Sequence, residues 1–339
     1  MTADPGMAAA PGLLTTFMTD TAHLIPERVR LGRSELAVHP FSLGGNVFGW
    51  TADRDASFAV LDAYTAAGGN FIDTADVYSV WAPGHQGGES ETIIGEWVRE
   101  RGNRDSVLIA SKVGAHPAAL GLGAANIRSA TEDSLRRLGV ETIDLLYTHK
   151  DDPEVPVEEI VSTLDQLVRE GKVRAVAASN ISAERLTAAL EFSAKEGLAR
   201  YEALQPHYNL LSRDTYEGPL AEVAAAHGIG VVPYAALAGG FLTGKYRPGG
   251  PSVPSPRAEG ATKRLADPRA LRVLEAVEQV AAAHGVQPSS VATAWLAAQP
   301  TVVAPIASAR TPEQLVPLLT GARLVLTAEQ LELLDAASA

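Results

Sequence analysis

From Leu31 onward, short apolar runs alternate with longer stretches in which apolar residues recur every three or four positions. The short runs predict strands over His39–Leu43, Asn70–Thr74, Val107–Ser111, Ile143–Thr148, Val173–Ser179, Ala203–Gln205, Gly230–Tyr234 and Thr301–Pro305. The longer stretches predict helices over Ala56–Ala67, Ser90–Arg101, Ile127–Leu138, Val157–Glu170, Ala183–Glu196, Thr215–His227, Leu271–His284 with Pro288–Gln299, and Thr311–Leu319. A further helix is expected at the end of the chain, over Thr327–Ala337. Gly68-Gly69, Gly139 and Gly171 stand where helices should stop, and Pro288-Ser289-Ser290 where one should start.

Several strand runs are almost unbroken in apolar residues, such as Ile143–Leu146 and Val173–Ala178, as in strands buried on both faces of a parallel sheet. Eight strand–helix alternations predict an α/β fold of the (β/α)8 TIM-barrel type with an extra C-terminal helix. An open, doubly wound sheet would carry G-x-G-x-x-G after its first strand. The segment there is Leu43-Gly44-Gly45-Asn46-Val47-Phe48-Gly49, whose spacing is wrong. Residues 1–26 carry no such pattern and are expected to be a disordered tail, leaving 27–339 as one barrel domain. The stretch Arg247–Arg257, RPGGPSVPSPR, follows the seventh strand. It is expected to be a loop on the ligand-binding face, with a lid or clamp role.

Charge and composition narrow the function. The chain of 339 residues has 28 Lys and Arg against 40 Asp and Glu, a net charge of -12. That excludes general nucleic-acid binding, and an anionic ligand would need positive groups gathered locally. There is no cysteine, which removes disulfides, thiolate catalysis and Cys-based zinc sites. No apolar run approaches the ~20 residues of a membrane span, and the N-terminus lacks the basic region of a secretory signal. A cytoplasmic location away from membranes is expected. Nothing specifies an oligomeric state.

On a barrel, chemistry belongs at the C-terminal ends of the strands. Asp73 and Tyr78 close the second strand, Lys112 the third and His149 the fourth. Singly, each reads as a cap, a core aromatic, a solvent-reaching lysine or a structural histidine. Together they suit proton donation to a carbonyl. A tyrosine of pKa ~10 is a poor acid until a neighbouring cation lowers that value. Lys112 would be the cation, Asp73 would hold it charged and oriented, and His149 would position the carbonyl oxygen. The set supplies no reductant, so hydride must come from a bound cofactor.

Two other chemistries fit poorly. Gly239–Tyr246 nearly forms the phosphate loop of nucleotide hydrolases, but Tyr246 stands where a Mg²⁺-binding hydroxyl is needed, and Arg247-Pro248 follows instead of a helix. His149, Asp151, Asp152 and His207 could be notional metal ligands, but no pair has a spacing such as H-E-x-x-H; no metal site is expected.

The chain resembles the aldo-keto reductase superfamily from about Arg28 to Leu334. The segment Gly69 to Tyr78, GNFIDTADVY, is similar to the family's signature through its N-x-x-D-T-A-x-x-Y positions. Ile109–Val113 resembles its lysine segment and Asp144–His149 its histidine segment. Val80–His85 and Gly87–Glu91 resemble the branch with potassium-channel β-subunits and many bacterial reductases. The resemblance implies NADPH or NADP+ lying across the barrel mouth. It implies Ser179, Asn180 and Gln205 at the nicotinamide carboxamide, Tyr234 stacked on the ring, and Leu237 to Lys245, Gly239 included, along the pyrophosphate. Asn46 joins these cofactor contacts, and Ser308, Arg310 and Gln314 would hold the adenosine 2′-phosphate at a helix N-terminus. Two departures bear on that end: Ala307-Ser308 replaces the family's frequent Pro-Gly, and Leu318 replaces an Asn near the adenine. Trp50, Trp81 and Tyr208 are expected to line the substrate pocket. The implied activity is NADPH-dependent reduction of an aldehyde or ketone to an alcohol. A cofactor-sensing regulatory subunit is the alternative.

Overall fold

The computed structural model describes residues 27–251 and 253–339. The tail expected over 1–26 lies outside them, as does residue 252 of the expected loop. Eight strands run parallel: β1 Ser42–Gly44, β2 Phe71–Asp73, β3 Leu108–Val113, β4 Ile143–Thr148, β5 Val173–Ser179, β6 Tyr201–Gln205, β7 Gly230–Val231 and β8 Ile306–Ala307. Neighbours in sequence are neighbours in the sheet, and β8 pairs with β1. The ring is drawn together where Val302 bridges Val231 and Val303 N–H donates to Val231 C=O at 2.8 Å.

Helices pack outside this ring: α1 Arg54–Ala66, α2 Glu89–Arg101, α3 Ala124–Leu138, α4 Val157–Arg169, α5 Ala183–Glu196 and α6 Pro219–His227. They are followed by α7 Ala258–Arg264, α8 Pro268–His284, α9 Pro288–Ala297, α10 Pro312–Gly321 and α11 Ala328–Ser338. Local chemistry sets their ends. The carboxylate of Asp53 accepts from Ala56 N–H, the Ser182 hydroxyl accepts from Arg185 N–H, and Thr327 with Gln330 forms a capping box. α4 shows the amphipathic logic: Val157, Ile160, Val161, Leu164 and Leu167 are its buried apolar stripe.

Strand alternation fills the barrel in layers. Phe71, Ala110, Leu145, Ala175 and Ala203 face inward, and a hairpin of Val29–Arg30 and Ala37–Val38 closes the bottom with Leu31, Leu36 and Val38. Two residues further along β2, β3, β4 and β6, and four along β5, the same parity turns Asp73, Lys112, Tyr147, Gln205 and Ser179 toward the barrel mouth. Gly69 is needed just before β2. A Cβ there would lie 2.2 Å from the Tyr64 ring, whose hydroxyl donates to Phe41 C=O at 2.7 Å. Gly69 therefore seats the turn that delivers Asp73.

The expected elements shift where proline or backbone handedness intervenes. The eighth strand was expected over Thr301–Pro305, but Thr301 takes φ 68 and Pro305 has no N–H. The ladder to β1 thus begins at Ile306. Pro233 shortens the seventh strand for the same reason. The helix expected from Thr215 starts at Pro219, after Gly218 at φ 97. Helix α7 lies in a stretch with no expected element, and the bottom hairpin was not foreseen.

Candidate active site

Asp73, Lys112, Tyr78 and His149 meet on the floor of a cavity of about 960 Å³ at the barrel mouth, of which Asp73, Tyr78 and His149 form part of the lining. Lys112 is completely buried and Asp73 is 1% exposed. The Lys112 ammonium donates to Asp73 Oδ2 at 2.7 Å, to Thr74 C=O at 2.8 Å and to Tyr78 Oη at 2.8 Å. Three donors thus meet three acceptors. Tyr78 Oη donates onward to Asp73 Oδ2 at 3.0 Å, while Gln205 Nε2 donates to Asp73 Oδ1 at 2.9 Å. The His149 ring stands edge-on to Tyr78, centroids 6.1 Å apart.

Burial dominates the electrostatics. It pulls the Lys112 ammonium below its usual value, with the Asp73 carboxylate pulling the other way. Burial, then Lys112, drives His149 down to about 3, so its imidazole is neutral at physiological pH. The expectation that Lys112 lowers the resting pKa of Tyr78 is corrected here. Burial first, and the Asp73 carboxylate second, hold that phenol well above its ordinary value. The Tyr78 phenol is therefore protonated at physiological pH.

A second buried network braces the loop that carries Tyr78. Glu91 of α2 accepts from Ser111 Oγ at 2.5 Å and from Arg137 Nε at 2.6 Å. Thr74 Oγ1 donates to Ser90 Oγ, which donates to Gly45 C=O. Asp76 is buried with both carboxylate oxygens unpartnered, and burial, with Glu91 next, raises it to about 7.

The rest of the cavity gathers most of the other expected residues. Asn46, Ser179, Asn180, Gln205, Tyr234, Leu237, Gly239, Lys245, Ser308, Arg310 and Gln314 all line it. Asn180 is tied down on both sides, donating to His149 C=O at 3.0 Å and accepting from Tyr234 Oη at 2.9 Å. Ser308 Oγ bonds Asn46 Oδ1, joining the loop after β8 to the loop after β1. Gln314 folds back to accept from Arg310 N–H at 3.0 Å. Non-glycine residues held at positive φ collect here: Asn180 and Ala235 line the cavity, and Ser79 and Ala238 adjoin lining residues.

Trp50 and Trp81 stand at the mouth, edge to face at 5.6 Å. Tyr208 does not join them. It is 1% exposed, donates to Glu217 at 2.7 Å and packs on Tyr216 and Trp295, so it is core rather than pocket wall. Sequence reasoning missed Arg257, which lines the cavity with its guanidinium 6.0 Å from the Trp50 ring centroid. Its only signal was being a lone cation at the end of a Pro- and Ser-rich loop. Among the described residues, the side chains of Lys245, Arg257 and Arg310 have no carboxylate partner, whereas nearby Arg247 and Lys263 pair with Glu278 and Glu259.

The structure is thus a parallel α/β barrel with a buried Lys–Asp pair, a tyrosine and a neutral histidine at its mouth. A family model described as "Aldo/keto reductase family" matches residues 40–339, and the chain belongs to that family. It is 34% identical to a "Putative voltage-gated potassium channel subunit beta" of Schizosaccharomyces pombe, over 93% of this chain and 95% of that protein. It is 33% identical to "Aldo-keto reductase str7" of Strobilurus tenacellus, covering 74% and 72% of the two chains. "Protein tas" of Escherichia coli is 31% identical, covering 84% and 90%. Among the described residues, no helix is long and apolar enough to cross a membrane.

Proposed function

We propose that the protein reduces an aldehyde or ketone to the alcohol, reversibly, with NADPH as reductant and Tyr78 as proton donor. The observation carrying this reading is the hydrogen-bonded triangle of Tyr78, Lys112 and Asp73 on the cavity floor. A bound nicotinamide would supply hydride to the carbonyl carbon. The protein's share concerns the oxygen. As negative charge develops there, the Tyr78 proton moves onto it, and the phenolate left behind faces the Lys112 ammonium at 2.8 Å. Lys112 thus acts on the phenolate as it forms, not on the resting phenol. Asp73 and Thr74 C=O hold Lys112 in place, and neutral His149 orients the substrate oxygen without competing for the proton.

The cavity suits a long polyanionic ligand. In an acidic chain, three cations with no carboxylate partner among the described residues line one cavity, and Gly239 and Gly240, at φ 68 and 94, leave open backbone beside Lys245. Ser179, Asn180, Gln205 and Tyr234 would receive the nicotinamide end. Leu237 to Lys245 together with Arg257 would face the pyrophosphate. Asn46, Ser308, Arg310 and Gln314 would take the adenosine end, where Arg310 favours NADPH over NADH. Trp50 and Trp81 would flank the small-molecule substrate. NADPH oxidation measured with a panel of aldehydes, ketones and quinones should show turnover with at least one class. A second reading, a cofactor-sensing subunit, draws on the name of the Schizosaccharomyces pombe relative; it requires NADPH binding without turnover across that panel.

A further inference from the structure

The two serines at the expected start of a helix, Ser289 and Ser290, do different things in the structure. Neither caps α9, whose N-cap is Gln287 without a side-chain capping bond. Ser290 Oγ donates to Pro317 C=O at 2.7 Å and so ties α9 to α10. Ser289 has no such task. It is 6% exposed, yet it lines the cavity at the barrel mouth. Its carbonyl accepts from Thr293 Oγ1 at 2.9 Å. Its hydroxyl has no partner among the described residues and opens to the cavity.

The surroundings are those of an anion site. The first N–H groups of a helix lack intrahelical acceptors and carry the positive end of its dipole. In α9, Pro288 has no N–H, and Ser290 N–H donates to Gln287 C=O at 2.9 Å. The Ser289 N–H is left without an acceptor among the described residues. One buried residue thus offers two donors, an N–H and an O–H. Lys245 lines the same cavity. The backbone that carries it lies against the start of α9, for a Cβ on Gly244 would come within 3.2 Å of Pro288 Cγ. The carboxylate near that contact, Glu278, is paired with Arg247 and leaves Lys245 unneutralised.

We propose that Ser289, at the start of α9, forms with Lys245 a phosphate-binding subsite of the cavity, separate from the one assigned to Arg310 at the start of α10. The N–H and O–H of Ser289 donate to oxygens of one phosphate group, and the Lys245 ammonium balances its charge. In the dinucleotide that group is the diphosphate or the 2′-phosphate. The proposal rests on the dinucleotide reading for the identity of the ligand but not for the existence of the subsite.

Two probes test it, neither of which needs turnover. Inorganic pyrophosphate, added to the protein without dinucleotide, should shift the backbone amide resonance of Ser289 in NMR spectra. NADPH, followed by fluorescence titration, should bind Ser289→Ala about tenfold more weakly, the loss of one hydrogen bond to a charged acceptor. Ser289→Asp separates binding from folding. A carboxylate in the first turn suits the helix dipole, so the melting temperature should be equal or higher. Its repulsion of the phosphate should lower NADPH affinity roughly hundredfold or more. NADH then assigns the group: an equal loss with NADH places the diphosphate at Ser289, and a loss confined to NADPH places the 2′-phosphate there. NADPH affinity within about twofold of wild type in both variants would overturn the proposal. So would a Ser289 amide that neither probe moves. A wild type that binds pyrophosphate at Ser289 but not NADPH would refute the dinucleotide reading and leave the subsite standing.

Discussion

The two halves of the barrel mouth are built on opposite principles. On the β2–β4 side, Lys112 and Asp73 are buried, and their polar atoms meet one another, Thr74 C=O, the Tyr78 hydroxyl and, across the barrel, Gln205 of β6. On the side formed after β7 and β8, Lys245, Arg257 and Arg310 line the cavity without carboxylate partners among the described residues, and Gly239, Gly240, Gly244 and Gly249 after β7 take positive φ. On the proposed reading, the first half, braced by Gln205, positions a proton. The second half is electrostatically unfinished and calls for an anion. On the proposed reading, the proton is handled where strand residues Asp73 and Lys112 clamp Tyr78 of the loop after β2, and most cationic recognition of a long ligand falls to the loops after β7 and β8.

The comparison breaks most sharply at Lys112. Lys112→Met leaves Asp73 buried and unpaired, so denaturant unfolding should show a loss of about 3–5 kcal/mol. Adding Asp73→Leu should recover much of that stability without restoring turnover. If the single variant is as stable as wild type, the pair is not the buried unit described. Arg310→Ala is expected to leave stability unchanged. It should weaken NADPH binding by about tenfold or more, the value of a charge-assisted bond, with NADH binding little altered. Equal losses for both cofactors would show that Arg310 does not read the 2′-phosphate.

A smaller effect distinguishes the rim from the rest of the barrel. His39 is buried outside the site, and burial lowers it to about 4. The unfolded chain therefore takes up a proton that the folded chain refuses between about pH 6.5 and pH 4. Stability should fall as pH drops through that window, on the order of 1–2 kcal/mol at pH 5 from this residue. His39→Asn should flatten the slope; an identical slope would remove His39 from the account. The mildest expectation concerns residues 247–257, where limited proteolysis should slow when NADPH is added, and equal cleavage with and without it would count against a clamp.

How much of this could be read beforehand follows the same division. Residues on strands were legible because the alternation of β2, β3, β5 and β6 fixes which side chains turn inward, so Asp73, Lys112, Ser179 and Gln205 fell where expected. Arg257 was not, because a Pro- and Ser-rich loop has no period to say which way it points. Tyr208 was misplaced because its direction is set by Tyr216 and Trp295, which are distant in sequence. The protonation of Tyr78 was misjudged for a related reason. Motif spacing shows that a lysine is near, but not that burial and Asp73 outweigh it.

The central claim is that the buried half donates a proton through Tyr78. It is tested most directly by measuring kcat and NADPH affinity of Tyr78→Phe beside the wild type, using an aldehyde the wild type reduces. The account predicts that kcat falls by at least ~10²-fold while NADPH affinity stays within about twofold. Full turnover in the variant would contradict it.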